Sequence, residues 1–232
     1  MNKAAIKHVF FDLDRTLWDF EKSALEAFER IFNEMNLKEM GIPSAMRLHE
    51  AYTVHNNRLW QQYREGEIEK SKLMWYRFYL TLLDFGIDNR NLSDKIGSYY
   101  LDISPKLVNL FPNAIEILDY LFPKYTLHLI TNGFAEVQET KLLVSGMKKF
   151  FKTVVTSEEA GVKKPDPQIF RYAFEKSGAQ PAESVMIGDD YEVDILGAEN
   201  AGMHQILFDP FNKAAGNGVI RVDDLIKIKE IL

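Results

Sequence analysis

Asp12 and Asp14 close a short apolar run, and three more such runs lead into groups able to do related chemistry. Thr131-Asn132-Gly133 offers a hydroxyl and an amide, Lys163-Lys164-Pro165-Asp166-Pro167 an amine, and Gly188-Asp189-Asp190 with Asp194 further carboxylates. Carboxylates gathered in one place repel one another unless a cation sits among them. All-oxygen ligands suit a hard cation, and magnesium, which takes few protein carboxylates and keeps several waters, is the expected choice. Magnesium beside a lysine would make a positive pocket suited to a phosphoryl group, whose transfer depends mainly on charge neutralisation and positioning.

The pair Asp12 and Asp14 adds a sharper expectation. Side chains two apart on an extended segment leave on the same side. One carboxylate can attack phosphorus and form an acyl phosphate. A second can protonate the leaving oxygen and later deprotonate water.

Such residues converge only if a parallel sheet carries them, because ligands bind at the carboxyl ends of its strands. The runs Ile6–Leu13, Leu127–Thr131, Thr153–Thr156, Val185–Gly188 and Gln205–Phe208 are short, apolar and bounded by polar residues or glycine, as buried strands are. Helical patterns lie between them at Ala114–Phe122, Glu136–Ser145, Pro167–Lys176 and Val193–Ala201. The alternation predicts an α/β fold, a Rossmann-like parallel sheet with helices on both faces. From about Phe20 to about Leu101 no strand pattern occurs, only amphipathic stretches such as Ser44–Arg64 and Lys70–Leu83. This region reads as a smaller all-α domain inserted after the first strand. The expected division is residues 1–17 and 103–232 for the core and 18–102 for the insert. The tail from Gly216 onward is expected to add an edge strand, Val219–Val222, and a last helix.

The 232 residues suffice for a core domain plus an insert. Hydrophobic residues at 46% and charged residues at 27% are those of a globular chain with a sizeable core. A net charge of -6 lacks the basic footprint of a nucleic-acid binder, and any anionic substrate must be drawn by a local positive site. With no cysteine, disulfides, thiolate nucleophiles and cysteine-ligated metals are excluded. No leader pattern and no bilayer-length apolar segment is found, so the cytoplasm is the expected compartment and no membrane partner is expected. The oligomeric state is not readable.

These residues carry a family resemblance. Asp12-Leu13-Asp14-Arg15-Thr16-Leu17, Ile130-Thr131-Asn132-Gly133, Lys164-Pro165-Asp166-Pro167 with Ile169-Phe170, and Gly188-Asp189-Asp190 with Asp194, Gly197-Ala198 and Ala201-Gly202 resemble, in order, the four motifs of the haloacid dehalogenase-like hydrolases. The resemblance implies Asp12 as nucleophile and Asp14 as general acid/base. It implies Thr131 and Asn132 as hydrogen-bonding partners of the phosphoryl group. Lys164 would orient the nucleophile and offset phosphoryl charge. Magnesium would be held by the Asp12 carboxylate, the Asp14 backbone carbonyl and Asp189. Position 190 is often a hydroxyl residue in relatives and is aspartate here, which leaves the division of duty among Asp189, Asp190 and Asp194 open. The insert corresponds to a mobile helical cap that excludes water and reads the leaving group.

Thr131-Asn132-Gly133-Phe134, Gly161-Val162-Lys163-Lys164-Pro165 and Trp60-Gln61-Gln62-Tyr63-Arg64-Glu65-Gly66-Glu67-Ile68 are similar to the bacterial pyrimidine 5'-nucleotidases of that superfamily. The implied activity is hydrolysis of nucleoside 5'-monophosphates, a small-molecule substrate class. A sugar-phosphate phosphatase or a phosphomutase would keep the same four motifs. Asp14 argues against a dehalogenase, and nothing marks Lys70 or Lys72 as the Schiff-base lysine of a phosphonate hydrolase. A non-catalytic phosphate-binding module usually lacks the nucleophile, which is present.

Each of these residues also has a structural reading. Asn-Gly is a common turn dipeptide, and Asp190 could serve equally as a helix cap. Trp60, Tyr63, Trp75, Tyr76 and Tyr79 recur at helical spacing, more readily a core stripe than a ligand platform. Phe134 is placed to stack on a flat leaving group. His128 reads as a packed histidine, and His49 and His55 lack a partner at metal-ligand spacing.

Overall fold

The computed structural model describes residues 3–212 and 218–232. One compact unit takes the chain up to Phe20 and again from Val108 to Leu232, and a second is Glu21–Leu107. In the first unit, six strands form one parallel sheet: β1 (His8–Phe11), β2 (Thr126–Thr131), β3 (Phe151–Thr156), β4 (Ser184–Gly188), β5 (His204–Phe208) and β6 (Ile220–Val222). Their order, β3-β2-β1-β4-β5-β6, reverses direction at β1 and β4. Where strand order reverses, the loops part and leave a crevice at the carboxyl ends.

The strands are continuously apolar because both faces are covered. Alternate residues Val9 and Phe11 of β1, Leu127 and Leu129 of β2, and Val185 and Ile187 of β4 enter one buried cluster. It also holds Ile117, Leu118 and Leu121 of α5 (Ala114–Leu121) and Leu142 of α6 (Ala135–Val144). Phe10, Ile130 and Met186 point the other way, against Ile169, Phe170 and Ala173 of α7 (Pro167–Ser177). Burying each such side chain contributes about 1.5–3 kcal/mol.

Two expected elements differ. The run Ile6–Leu13 is strand only over His8–Phe11. Asp12 N–H still bonds the Ile187 carbonyl of β4, but the chain then closes a turn in which Leu13 carbonyl accepts from Leu17 and Trp18. The helix expected over Val193–Ala201 is a π-helical turn, Tyr191–Leu196, followed by a short helix Gly197–Asn200. At the tail, β6 takes the place of the expected edge strand, and the last helix is a 3-10 helix, Leu225–Glu230. Gly216, where that tail reading began, lies outside the described residues.

The second unit is helical: α1 (Phe20–Glu34), α2 (Ala45–Arg64), α3 (Lys70–Leu83) and α4 (Arg90–Ile103). Ser44 and Asn89 cap α2 and α4 by accepting from Arg47 N–H and Leu92 N–H. Its core is an aromatic box of Phe28, Tyr52, Phe78 and Tyr100. Buried Arg77 lies over three of those rings and donates to Asn56 at 2.8 Å. The stripe of Trp60, Trp75, Tyr76 and Tyr79 is half-buried, and of the residues expected there Tyr63 alone is buried. On α3 the inward face is Leu73, Arg77, Phe78, Thr81 and Leu82, which turns Trp75, Tyr76 and Tyr79 aside into a cluster of their own, with the Arg90 guanidinium over Trp75. No helix among the described residues is long and apolar enough to cross a membrane.

His128 of β2 packs as expected, stacked on Phe10 with its Nε2 3.1 Å from His8 Nδ1. Burial, with His8 and Lys152 nearby, pushes its pKa down to about 3. The folded protein thus binds this proton less readily than the unfolded chain, and the stability conferred by neutral His128 is lost as pH falls from about 6.5 toward 3. His128→Leu is expected to reduce the stability lost between pH 7 and pH 5 by about 1–2 kcal/mol, measured by denaturant unfolding at both values. Parallel pH profiles for the two proteins would remove this role.

Candidate active site

The loop after β1 sets the first two carboxylates. Arg15 takes a left-handed backbone conformation (φ 66°), and its N–H bonds the Trp18 carbonyl at 2.8 Å. The loop from Leu13 to Trp18 thereby closes on itself beside the β1–β4 crevice. Asp12 is 7% exposed, and one of its oxygens accepts from Lys164 Nζ at 2.6 Å.

Lys164 is 1% exposed, and each of its three ammonium protons has a partner: Asp12 at 2.6 Å, Asp194 at 2.6 Å and the Ile130 carbonyl at 2.8 Å. Asn132 grips the lysine's backbone, donating to its carbonyl at 2.9 Å and accepting its N–H at 2.8 Å. The Asn132 side chain thus holds Lys164 and keeps one amide N–H to offer a substrate. Thr131 is buried, and its hydroxyl oxygen accepts from Gly133 N–H at 3.1 Å and from Gln138 Nε2 at 2.7 Å. With both lone pairs occupied, that hydroxyl can act only as a donor.

The fourth loop divides its acids. Asp190 caps the turn that follows, accepting from Glu192 and Val193 N–H at 3.0 Å, the structural alternative named for it above. Asp194 is buried, with one oxygen on Lys164 and the other accepting Asp190 N–H at 3.2 Å. Asp189 accepts from the Thr16 hydroxyl at 3.0 Å. One ligand oxygen from each of Asp12, Asp189 and Asp194 lies within 4.8 Å of the others. Two glycines make this packing possible: a Cβ on Gly188 would overlap the Asp194 carboxylate, and one on Gly133 would overlap the Gln138 amide.

Three carboxylates share one hydrogen-bonded ammonium, with the Arg15 guanidinium also acting on Asp189, so negative charge is in excess. Burial pushes Asp12 up to about 7, with Lys164 pulling it back and Asp194 and Asp14 pushing further. Burial, Asp194 and Asp12 raise Asp189 well above the usual carboxylate range. Burial would lower Lys164, but Asp12 and Asp194 outweigh it and raise its pKa. An all-oxygen set with negative charge in excess fits a divalent hard cation such as magnesium. The hydrogen bonds above leave one oxygen of Asp12 and one of Asp189 to face it.

Asp14 turns toward α6, where its carboxylate accepts from Gln138 Nε2 at 2.8 Å and pairs with Lys141. Neither Gln138 nor Lys141 stands out in the sequence reading. The available signal was two polar residues three apart on the helix after Thr131-Asn132-Gly133, on the same face as buried Leu142. Phe134 follows Gly133 as expected but is 3% exposed, so it packs instead of presenting a ring face. His49 and His55 join no metal-type cluster among the described residues. Asp12, Asp189 and Asp194 thus gather with Lys164, and Asp14 and Thr131 share the Gln138 amide.

A parallel sheet with a lysine and three acids at its switch point is the layout of a doubly wound α/β protein whose ligand site lies at the carboxyl ends of its strands. The chain belongs to the haloacid dehalogenase-like hydrolase family, which it matches over residues 9–208. It is 36% identical to a glyceraldehyde 3-phosphate phosphatase of Methanothermobacter thermautotrophicus, over 98% of this chain and all of the relative. It is 31% identical to the pyrimidine 5'-nucleotidase PynA of Streptococcus pneumoniae, over 88% of this chain and 84% of that protein. The structure superposes on the HAD-hydrolase YfnB of Bacillus subtilis, solved with bound magnesium, with a TM-score of 0.88, 25% identity and 98% of each chain covered.

Proposed function

We propose that the protein is a magnesium-dependent phosphatase that hydrolyses phosphate monoesters through a phosphorylated Asp12. The observation that carries this reading is Asp12 held by a fully bonded lysine in a carboxylate cluster with negative charge in excess. Lys164 fixes the Asp12 carboxylate so that it attacks without a search through rotamers. The Thr131 hydroxyl, able only to donate, supports a bond to a phosphoryl oxygen. As the Asp12 oxygen bonds to phosphorus, the ester P–O bond breaks and the leaving oxygen takes a proton from Asp14. Asp14 then removes a proton from water, whose oxygen attacks phosphorus and releases inorganic phosphate and Asp12. Asp12 and Asp189, with the Asp14 backbone carbonyl, are the residues that would hold magnesium, and bound magnesium supplies positive charge against the phosphoryl oxygens. The insert, residues 18–102 in the sequence division, is assigned the part of a cap that reads the leaving group.

For the substrate we propose a nucleoside 5'-monophosphate with a pyrimidine base, on the resemblance of residues 60–68 and 131–134 to nucleotidases. A triose or other sugar phosphate is the second reading, favoured by the 36% identical phosphatase. Phosphate release from uridine 5'-monophosphate and glyceraldehyde 3-phosphate, ranked by kcat/KM with magnesium, tests both. The nucleotide is expected to lead by at least about tenfold, on the order of 1.4 kcal/mol in transition-state binding. A lead for the triose phosphate would reverse the substrate assignment. Isomer formation with little free phosphate would make the protein a mutase, and no release from a broad panel of monoesters would leave a binding module.

A further inference from the structure

We propose that Lys141 and Gln138 of α6 are positioning residues that hold the Asp14 carboxylate in line for proton transfer and couple its orientation to the Thr131 hydroxyl. The inference rests on the phosphatase reading above, in which Asp14 is the acid and base. Gln138 is fully buried, and its one amide nitrogen bridges Asp14 at 2.8 Å and Thr131 at 2.7 Å. The other Asp14 oxygen pairs with the Lys141 ammonium. Both carboxylate oxygens are thus tied to the same helix, which fixes the plane of the group as well as its place.

Lys141 is 4% exposed, an unusual place for a lysine on a surface helix. Its ammonium lies 5.3 Å from the Trp18 ring centre and 5.8 Å from that of Phe20, so the loop carrying Asp14 also forms part of the lysine's pocket. A buried ammonium is costly without a partner. Among the described residues, the carboxylate paired with Lys141 is Asp14. A lysine placed solely for stability would not need the one carboxylate that chemistry requires. The glycine at 133 belongs to the same device, because a side chain there would push Gln138 off its bridge.

The test separates positioning from structure by leaving group. An alkyl phosphate needs its departing oxygen protonated, and p-nitrophenyl phosphate, with an activated leaving group, scarcely does. Lys141→Met is expected to lower kcat about 10–100-fold on an alkyl substrate such as uridine 5'-monophosphate and less than about 3-fold on p-nitrophenyl phosphate, with KM changed little. Lys141→Arg, which keeps the charge, is expected to recover most of the alkyl rate. In an Asp14→Asn background Lys141→Met should cost nothing further, since the group it holds is gone. Equal losses on both leaving groups, or a full second loss in the Asp14→Asn background, would overturn the proposal. Should Lys141→Met fold poorly, Lys141→Gln, which removes the charge but stays polar and leaves the Gln138–Thr131 bond alone, gives the same leaving-group contrast or refutes it. If Asp12→Asn keeps its turnover, the phosphatase mechanism itself fails. If Asp12→Asn is dead and Lys141→Met is unaffected, the positioning role alone fails.

Discussion

Asp12→Asn is expected to lower kcat by on the order of 10^4-fold or more while leaving the protein folded. The size follows from what the carboxylate does: it forms the bond to phosphorus in the first step and leaves it in the second, so both routes close together. An amide oxygen is a poor nucleophile and a poor support for an acyl phosphate. The fold should survive because the amide keeps an oxygen where Lys164 Nζ now donates at 2.6 Å, and Lys164 retains Asp194 and the Ile130 carbonyl. Metal-free, the variant should melt no lower than the parent. Burial and Asp194 raise the Asp12 pKa to about 7, so its charge is costly in the folded protein, and replacing it removes that cost. The measurements are steady-state phosphate release, acid-quench trapping of phosphorylated protein, and thermal melting in chelator. Near-normal rates in Asp12→Asn, or labelled phosphate trapped on it, would end the covalent mechanism.

Much of this site was legible before any coordinates because its chemistry sits where strands end, and strand ends are punctuated. Phe11 to Asp12, Ile130 to Asn132 and Ile187 to Asp189 each change from apolar to polar within two residues. That change is local and survives in one dimension. The parallel sheet and its two covered faces follow from it, but the strand order does not. What could not be read was whatever depends on which polar groups meet. Asp190 and Asp194 are the same residue type four apart, and only the π-helical turn Tyr191–Leu196 sends one to cap and the other to Lys164. Gln138 and Lys141 look like ordinary helix surface until α6 is laid against the Asp14 loop. Nothing in the sequence shows that the Asn132 side chain also holds the Lys164 backbone in place. The cap aromatics went astray for a related reason: helical spacing marks a stripe, but which stripe faces inward depends on neighbours such as Arg77, which turns inward and directs Trp75 and Tyr79 elsewhere.

Removing divalent metal is expected to abolish activity and to lower the melting temperature. The carboxylates of Asp12, Asp189 and Asp194 crowd one place with a single ammonium among them, and burial already pushes all three acids up. Magnesium taken up by this arrangement in the folded chain, with no such site in the unfolded one, would stabilise by mass action: about 2.7 kcal/mol at one hundred times its Kd. For a chain of this length that corresponds to roughly 5–10 °C in Tm. Asp189→Asn should lose most of the magnesium-dependent shift, together with activity, while its metal-free melting temperature stays at or above that of the parent. The Thr16 hydroxyl can still donate to the amide oxygen, and one repulsive charge has been taken out. Differential scanning with and without magnesium, beside phosphate release in excess chelator, reads both effects. Full activity in chelator would show that the excess negative charge is managed by protons instead of a metal. An undiminished magnesium shift in Asp189→Asn would place the cation elsewhere in the molecule.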